Sequence, residues 1–382
     1  MLSIPAKDYR KLAKQRLPKQ LFDYIDGGSY DEQSLAENVN AFSRLELRQK
    51  VLMDVSNIDF TTELLGTDYD LPLALAPVGV AGSFARRGEV QAVRAADKHN
   101  VPFCLSTVSI CSMEEIADHA TKPFWYQLYM IRDRAIVSNL IKRAKAVGCE
   151  TLILTVDLPF PGARYRDVRN GLFGDASHWS KIKRIYDLIS HPRWLYDVGI
   201  KGRPVVFGNL VQELPMAKSM EHLQEWISTQ FDPSVDWDDL KWVRDQWHGK
   251  LVVKGIMIPE DAKKASEYGA DGIIVSNHGG RQLDSVPATI NAVDAIVSAA
   301  GDKTQVMMDS GVRSGLDMLK AKALGANGCL IGRAWVYALA AHGERGVDQL
   351  LSTLKEELRI GMALTGNLKT ESINKDSLIV RE

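Results

Sequence analysis

The chain has 382 residues, 45% hydrophobic and 25% charged, with a formal net charge of −1. That is the composition of a soluble globular protein, and the charge balance gives no reason to expect nucleic acid as a partner. The first twenty residues alternate charged and apolar side chains, unlike a signal peptide, and no stretch approaches the roughly 18 apolar residues of a spanning helix, so any membrane contact is expected to be peripheral.

In chain order, residues 1–65 read as an N-terminal helical extension, followed by candidate strands at 71–76, 101–105, 124–128, 151–156, 251–254, 272–275, 305–308 and 328–331. Helical patterns such as "EVQAVRAADKHN" (89–100) and "PEDAKKASEYG" (259–269) lie between most of them. Three segments, "AVGCETLILT", "EYGADGIIVS" and "ALGANGCLIG", repeat a helix tail, a glycine, a polar turn and an apolar run. That is a glycine-capped helix followed by a buried strand. Eight strands alternating with helices predict a parallel sheet closed as a (β/α)₈ TIM barrel within one domain, 1–382; an open doubly wound sheet is the competing architecture. The spacing breaks between the strands starting at 151 and 251, which places an insertion over about 171–237 after strand 4. Cys104, Cys111, Cys149 and Cys329 form no CxxC pair and are expected to be buried, reduced thiols in a cytoplasmic chain; no metal site is expected.

Residues just past the strand ends should line one mouth of a barrel. In order they are Pro77, Val78 and Gly79; Ser106; Gln127 and Tyr129; Thr155 and Asp157; Lys254; Ser276, His278 and Arg281; Asp309, Gly311 and Arg313; Gly332 and Arg333. Nearly all are polar. The glycines and arginines of "DSGVRSG" and "GRA", ahead of helical sequence after strands 7 and 8, suit a phosphate. A lone histidine is most often structural. His278, however, shares its loop "SNHGGRQLD" with Arg281, and Asp157 is placed to orient it. A base beside a carboxylate-gripping guanidinium suits proton abstraction from a small acid. Arg164 in "PGARYR" is a candidate second anion clamp, and Tyr24 and Tyr129 are candidate hydroxyl donors.

These stretches, together with "LPKQLFDYIDGG", "LALAPVG", "WYQLY", "LTVDLPFPGARYRD", "VVKGI" and "DSGVRSGLD", resemble the FMN-dependent L-2-hydroxy-acid oxidising enzymes over almost the whole chain. Within that family, "APVG", "ARRGEVQA" and "PGARYRD" are closest to the bacterial respiratory L-lactate-oxidising branch. The resemblance implies a barrel with FMN as cofactor, His278 as catalytic base and Asp157 as its partner. It implies that Arg281, Arg164 and Tyr24 bind the substrate carboxylate and Tyr129 its oxygen. Lys254 would stand by the flavin ring, with Ser106, Gln127 and Thr155 around isoalloxazine and ribityl. Asp309, Gly311, Arg313, Gly332 and Arg333 would hold ribityl and phosphate, and Pro77, Val78, Gly79 and Ser276 complete the expected cofactor contacts. Glycolate oxidases of this family carry tryptophan where this chain has Val108, and commonly alanine at Gly79, which implies a differently shaped pocket.

The implied reaction is L-lactate to pyruvate, with electrons passed to a quinone-type respiratory acceptor. The rival is an oxidase using oxygen; a non-redox barrel binding a phosphorylated ligand is the alternative from another class. The family is often tetrameric. Residues 177–204 interleave Lys181, Lys183, Arg184, Arg193, Lys201 and Arg203 with Trp179, Tyr186, Trp194, Tyr196 and aliphatics. They are expected either to rest on the cytoplasmic face of the inner membrane, as the corresponding insertion does in the related mandelate dehydrogenase, or to pack on the barrel as an ordinary amphipathic helix.

Overall fold

The computed structural model describes residues 4–170, 185–211 and 229–379. Eight parallel strands form one sheet: β1 (Leu73–Leu75), β2 (Cys104–Ser106), β3 (Trp125–Tyr129), β4 (Thr151–Thr155), β5 (Lys250–Ile256), β6 (Gly272–Val275), β7 (Gln305–Met308) and β8 (Gly328–Ile331). Each is paired in parallel with its sequence neighbours, β8 returns to β1, and a bridge between Leu75 and Phe103 closes the ring between β1 and β2. The expected barrel, rather than the open sheet, is what the chain forms.

Why these runs are strands follows from their two buried faces. Along β5 and β6, Val252 and Ile274 join the interior cluster of Ala74, Cys104, Trp125, Ile153, Met307 and Leu330. Their neighbours Leu251, Val253, Ile273 and Val275 face the helices in a larger cluster that runs from Ala6 to Leu378. In the three repeated segments, Gly148, Gly269 and Gly325 adopt φ of +82°, +85° and +95°, the left-handed stop that lets each helix turn back into the next strand.

The N-terminal extension does more than precede the barrel. A hairpin of Thr62–Leu64 and Thr67–Tyr69 plugs its lower end with Leu64, Leu65 and Tyr69. The first residues of β6 and β8 are glycines for this reason: a Cβ on Gly272 would sit 3.0 Å from Leu65, and one on Gly328 3.0 Å from Leu64. At the other end, the helix Lys19–Asp26 buries Phe22 and Ile25 and carries Tyr24 toward the mouth. Asp26 anchors it, accepting from Arg10 (2.8 Å), Arg166 (2.7 Å) and the Tyr337 hydroxyl (2.8 Å).

All four cysteines are buried and unbridged, and burial pushes the Cys329 thiol up to about 12. Among the described residues no helix is long and apolar enough to cross a membrane, and no cluster of metal-ligating side chains occurs. Of the expected insertion, residues 185–211 and 229–237 are described; Trp179, Lys181, Lys183 and Arg184 of the basic-aromatic segment lie outside the described residues. Residues 185–190 are helical, followed by Pro192–Trp194 and a π-helical turn Leu195–Ile200.

Candidate active site

The C-terminal ends of the strands surround a cavity of about 530 Å³. Its walls include Pro77, Val78, Gly79, Tyr129, Thr155, Lys254, His278, Arg281, Asp309, Gly311, Arg313, Gly332 and Arg333, so thirteen expected positions meet around one space. Tyr24 and Arg164 join them from the N-terminal helix and the β4 loop.

The loop after β6 turns sharply: His278, Gly279 and Gly280 all have positive φ, at 57°, 67° and 69°. A histidine there is strained relative to glycine. Ser276 holds it, its hydroxyl accepting from the His278 N–H at 3.1 Å. The ring meets Asp157 with Nδ1 2.8 Å from Oδ1. Burial opposes ionisation of Asp157, but the pull of His278 and of the Lys254 ammonium holds its carboxyl below the usual range. Burial likewise pushes His278 below the usual imidazole range, against the opposing pull of Asp157. An ionised Asp157 accepts from Nδ1–H, which leaves Nε2 of a neutral ring free to take a proton.

Two guanidiniums flank this base. Arg281 lies 4.9 Å over the Tyr24 ring and Arg164 6.0 Å from it. Arg281 donates through Nη1 to the carbonyls of Tyr24 and Gly27 (2.9 Å to the latter). Burial, with Arg164 beside it, brings Arg281 down to about 10. Partly buried cations lacking a carboxylate partner favour an incoming anion. Burial also pushes the Tyr129 hydroxyl well above the usual phenol range, so it stays a donor.

On the cofactor side, Lys254 is buried and forms an ion pair with Asp309 at 3.0 Å while donating to Ser276 at 2.8 Å. Burial would lower it, yet Asp309 and Asp157 hold it above the usual lysine range, so it remains a cation. Ser106 donates to Oε1 of Gln127 at 3.0 Å, which orients the amide. The Gln127 Nε2 and the Thr155 Oγ1 are buried with no hydrogen-bond partner. Native proteins rarely leave such atoms unsatisfied. The orphaned Thr155 Oγ1 ends β4 on the cavity wall beside the fixed lysine, and with the orphaned Gln127 Nε2 within β3 it fits the polar edge of a flavin ring. Arg333 departs from the simple expectation. Its side chain donates to the carbonyls of Ile25 (2.9 Å), Gly279 (2.9 Å) and Gly27 (2.7 Å), so its guanidinium ties the N-terminal segment to the histidine loop. Three of its five N–H donors are used in this way, leaving two, with the main chain of Gly332 and Arg333, for a phosphate.

The site contains residues that the sequence pattern does not single out. Gln282 donates to the carbonyls of Asp157 (3.1 Å) and Phe160 (2.9 Å) and accepts from the Gly162 N–H (3.2 Å), pinning the β4 loop to the β6 loop. Its place inside "SNHGGRQLD" was the available signal. Phe207 and Phe231 reach the cavity from the long β4–β5 connection, where no periodicity marks them. Asp167 is buried near both guanidiniums with Oδ1 unpartnered, and burial raises its carboxyl despite their charges.

The model of the FMN-dependent dehydrogenase family matches residues 13–380. The L-lactate dehydrogenase of Caulobacter vibrioides (strain NA1000 / CB15N) is 50% identical over 381 residues, covering 100% of this chain and 99% of its own. That of Yersinia pestis (strain Pestoides F) is 48% identical over 382 residues, with 100% of both chains covered. Among solved structures, the monotopic membrane protein (S)-mandelate dehydrogenase superposes with a TM-score of 0.93 at 38% identity, covering 100% of both chains. A soluble mutant of the membrane-associated (S)-mandelate dehydrogenase from Pseudomonas putida gives 0.85 at 36% identity, covering 99% of each chain.

Proposed function

The chain belongs to the FMN-dependent dehydrogenase family, and from that premise we propose that it oxidises L-lactate to pyruvate and hands the electrons to a quinone-type respiratory acceptor. The observation that carries the reading is His278, oriented by Asp157 at 2.8 Å, on one cavity wall with Arg281, Arg164 and the orphaned hydroxyl of Thr155. Arg281, Arg164 and Tyr24 bind the lactate carboxylate, and Tyr129 donates to its oxygen. This fixes the α-carbon against His278, whose Nε2 takes the proton that the substrate sheds. Asp157 then stabilises the imidazolium. FMN, when bound, would supply the two-electron acceptor: lactate loses two electrons and two protons in becoming pyruvate, one proton going to His278 and the other leaving with the electrons. Lys254 holds a positive charge where negative charge accumulates during that transfer. Anaerobic addition of L-lactate to the yellow protein should bleach its flavin, with glycolate and mandelate slower; no bleaching by lactate removes the reading.

The oxidase alternative rests on a mandelate oxidase that superposes with a TM-score of 0.83 at 34% identity. Against it stands the pocket wall. A Cβ on Gly79 would lie 2.8 Å from Val108, so the two positions where glycolate oxidases differ form one contact. Hydrogen peroxide released at the rate of dye reduction would favour the oxidase.

Peripheral attachment to the inner membrane through 177–204 belongs to the same proposal, as does assembly into a homotetramer. Ile185, Tyr186, Ile189, Tyr196 and Ile200 are each more than half exposed, a run of apolar side chains that water does not reward. Trp194 instead turns inward, its indole N–H donating to the Ser83 carbonyl at 2.8 Å. Replacing 177–204 by a short linker should release the enzyme from membranes while sparing dye reduction; light scattering tests the assembly.

A further inference from the structure

A second, larger cavity of about 910 Å³ lies away from the mouth, between the helices Ala6–Arg16, Gly88–Lys98 and Glu344–Thr365 and the turn Leu195–Ile200. Arg16, Arg86, Arg87, Arg94 and Arg345 line it, against the carboxylates Glu115, Asp197 and Glu344. The pairing is loose. Arg16 reaches Asp197 at 3.4 Å, Arg86 the same carboxylate at 3.8 Å and Arg94 Glu344 at 4.0 Å; Arg87 is held by Glu115, and Arg345 has no carboxylate within 4.0 Å among the described residues. Arg16 keeps a buried Nε with no partner. Two helices begin at its wall, at Gly88 and Glu344, and their N-termini add positive potential.

We propose that this cavity binds a phosphate-bearing anion. Planar guanidiniums in excess over carboxylates, with long ion pairs that an incoming anion can open, match the several oxygens of a phosphate better than a single carboxylate. The position suggests its source. The turn that gives Asp197 to the cavity gives Tyr196 and Ile200 to solvent, so a phosphate held here would sit directly beside the exposed apolar run. That is the arrangement of headgroup and acyl chain in an anionic lipid. The proposal deepens the membrane reading without resting on it, since a free phosphate compound tests the cavity alone.

Calorimetric titration of the FMN-loaded enzyme with inorganic pyrophosphate should show binding at physiological ionic strength. Sedimentation with phosphatidylglycerol vesicles should exceed that with phosphatidylcholine vesicles. The double variant Arg94→Gln/Arg345→Gln should weaken both at least tenfold while lactate-driven dye reduction and melting temperature stay unchanged. Arg94→Lys/Arg345→Lys should keep part of the affinity, because the charge remains and the fork is lost. Loss of pyrophosphate binding alone assigns a soluble phosphate compound; loss of vesicle binding as well assigns the lipid headgroup. If the glutamine variant binds both probes as the parent does, or if its particle mass changes because these arginines join copies of the chain, the proposal is wrong.

Discussion

Arg164 and Arg281 at the mouth are partly buried side by side, with no carboxylate within 4.0 Å among the described residues, whereas Arg16, Arg86, Arg87 and Arg94 around the second cavity each stand beside a carboxylate, Arg86 and Arg94 of them exposed. The same residue type therefore does different work. At the mouth, two adjacent cations have no carboxylate in contact, and an arriving substrate carboxylate supplies the missing charge where burial already weighs on Arg281. At the outer cavity, water and neighbouring acids already satisfy most of the charge, so an added anion gains less per contact and is screened by salt. If this contrast holds, mouth substitutions change the chemistry steeply, and outer ones leave it alone.

The largest effect belongs to His278. His278→Gln should retain FMN and the fold but lower lactate-driven flavin reduction by about 10²–10⁴-fold. In the parent enzyme the sign of the pH dependence follows from burial. With His278 below the usual imidazole range, kcat/KM should stay high through neutrality and fall only on acidification below that range. A profile that declines from pH 8 downward would show the ring already charged and overturn its role as a neutral base.

Arg281→Lys comes next. Lysine keeps the charge but not the fork, and it also loses the donor shared by the Tyr24 and Gly27 carbonyls. The expected loss in kcat/KM is about 2 kcal/mol, roughly thirtyfold. Lactamide serving the parent enzyme as well as lactate does would break the clamp assignment.

Much of this was legible in the sequence, for physical reasons. Strands buried on both faces are continuous apolar runs, and β6, β7 and β8 fall where "GIIV", "QVMM" and "GCLI" place them. Mouth residues follow strand ends by topology, so His278 and Asp157 were placed together although 121 residues separate them. What the sequence hid was set by distant contacts. Leu64 and Leu65 as a barrel plug, Arg333 spent on three carbonyls and Gln282 as the tie between two loops depend on which segments meet in space, not on local pattern.

A smaller effect tests the wall between substrate and flavin. Because a Cβ at position 79 would press on Val108 at 2.8 Å, Gly79→Ala should slow dye-linked turnover about tenfold. Val108→Ala should restore most of that loss in the double variant, the coupling expected of residues in contact. Additive effects would mean that the two positions act separately, and their joint departure from the glycolate oxidases would then say nothing about the acceptor.

Asp167 gives the smallest effect and the sharpest test of the contrast itself. It is the mouth's nearest counterpart to the outer carboxylates: its charge is felt by both Arg281 and Arg164, yet its Oδ1 has no partner. Were Coulomb attraction dominant, its carboxyl would sit below the usual range; burial instead raises it. A group whose folded pKa is raised stabilises the fold below its unfolded pKa and loses that contribution as pH rises through the folded value. Asp167→Asn, neutral at every pH, should therefore be more stable than the parent at pH 8 by on the order of 1 kcal/mol. The advantage should shrink as pH falls through the parent's raised carboxyl and be gone at about pH 3, below the ordinary aspartate value of about 3.9. Glu344→Gln at the outer cavity, where the carboxylate is solvated and its partner Arg94 is 4.0 Å away, should change stability little at either pH. Denaturant unfolding at the two pH values separates the cases. An Asp167→Asn variant less stable than the parent at pH 8 would mean that the ionised carboxylate holds the two arginines in place, and that pairing rather than desolvation governs the mouth.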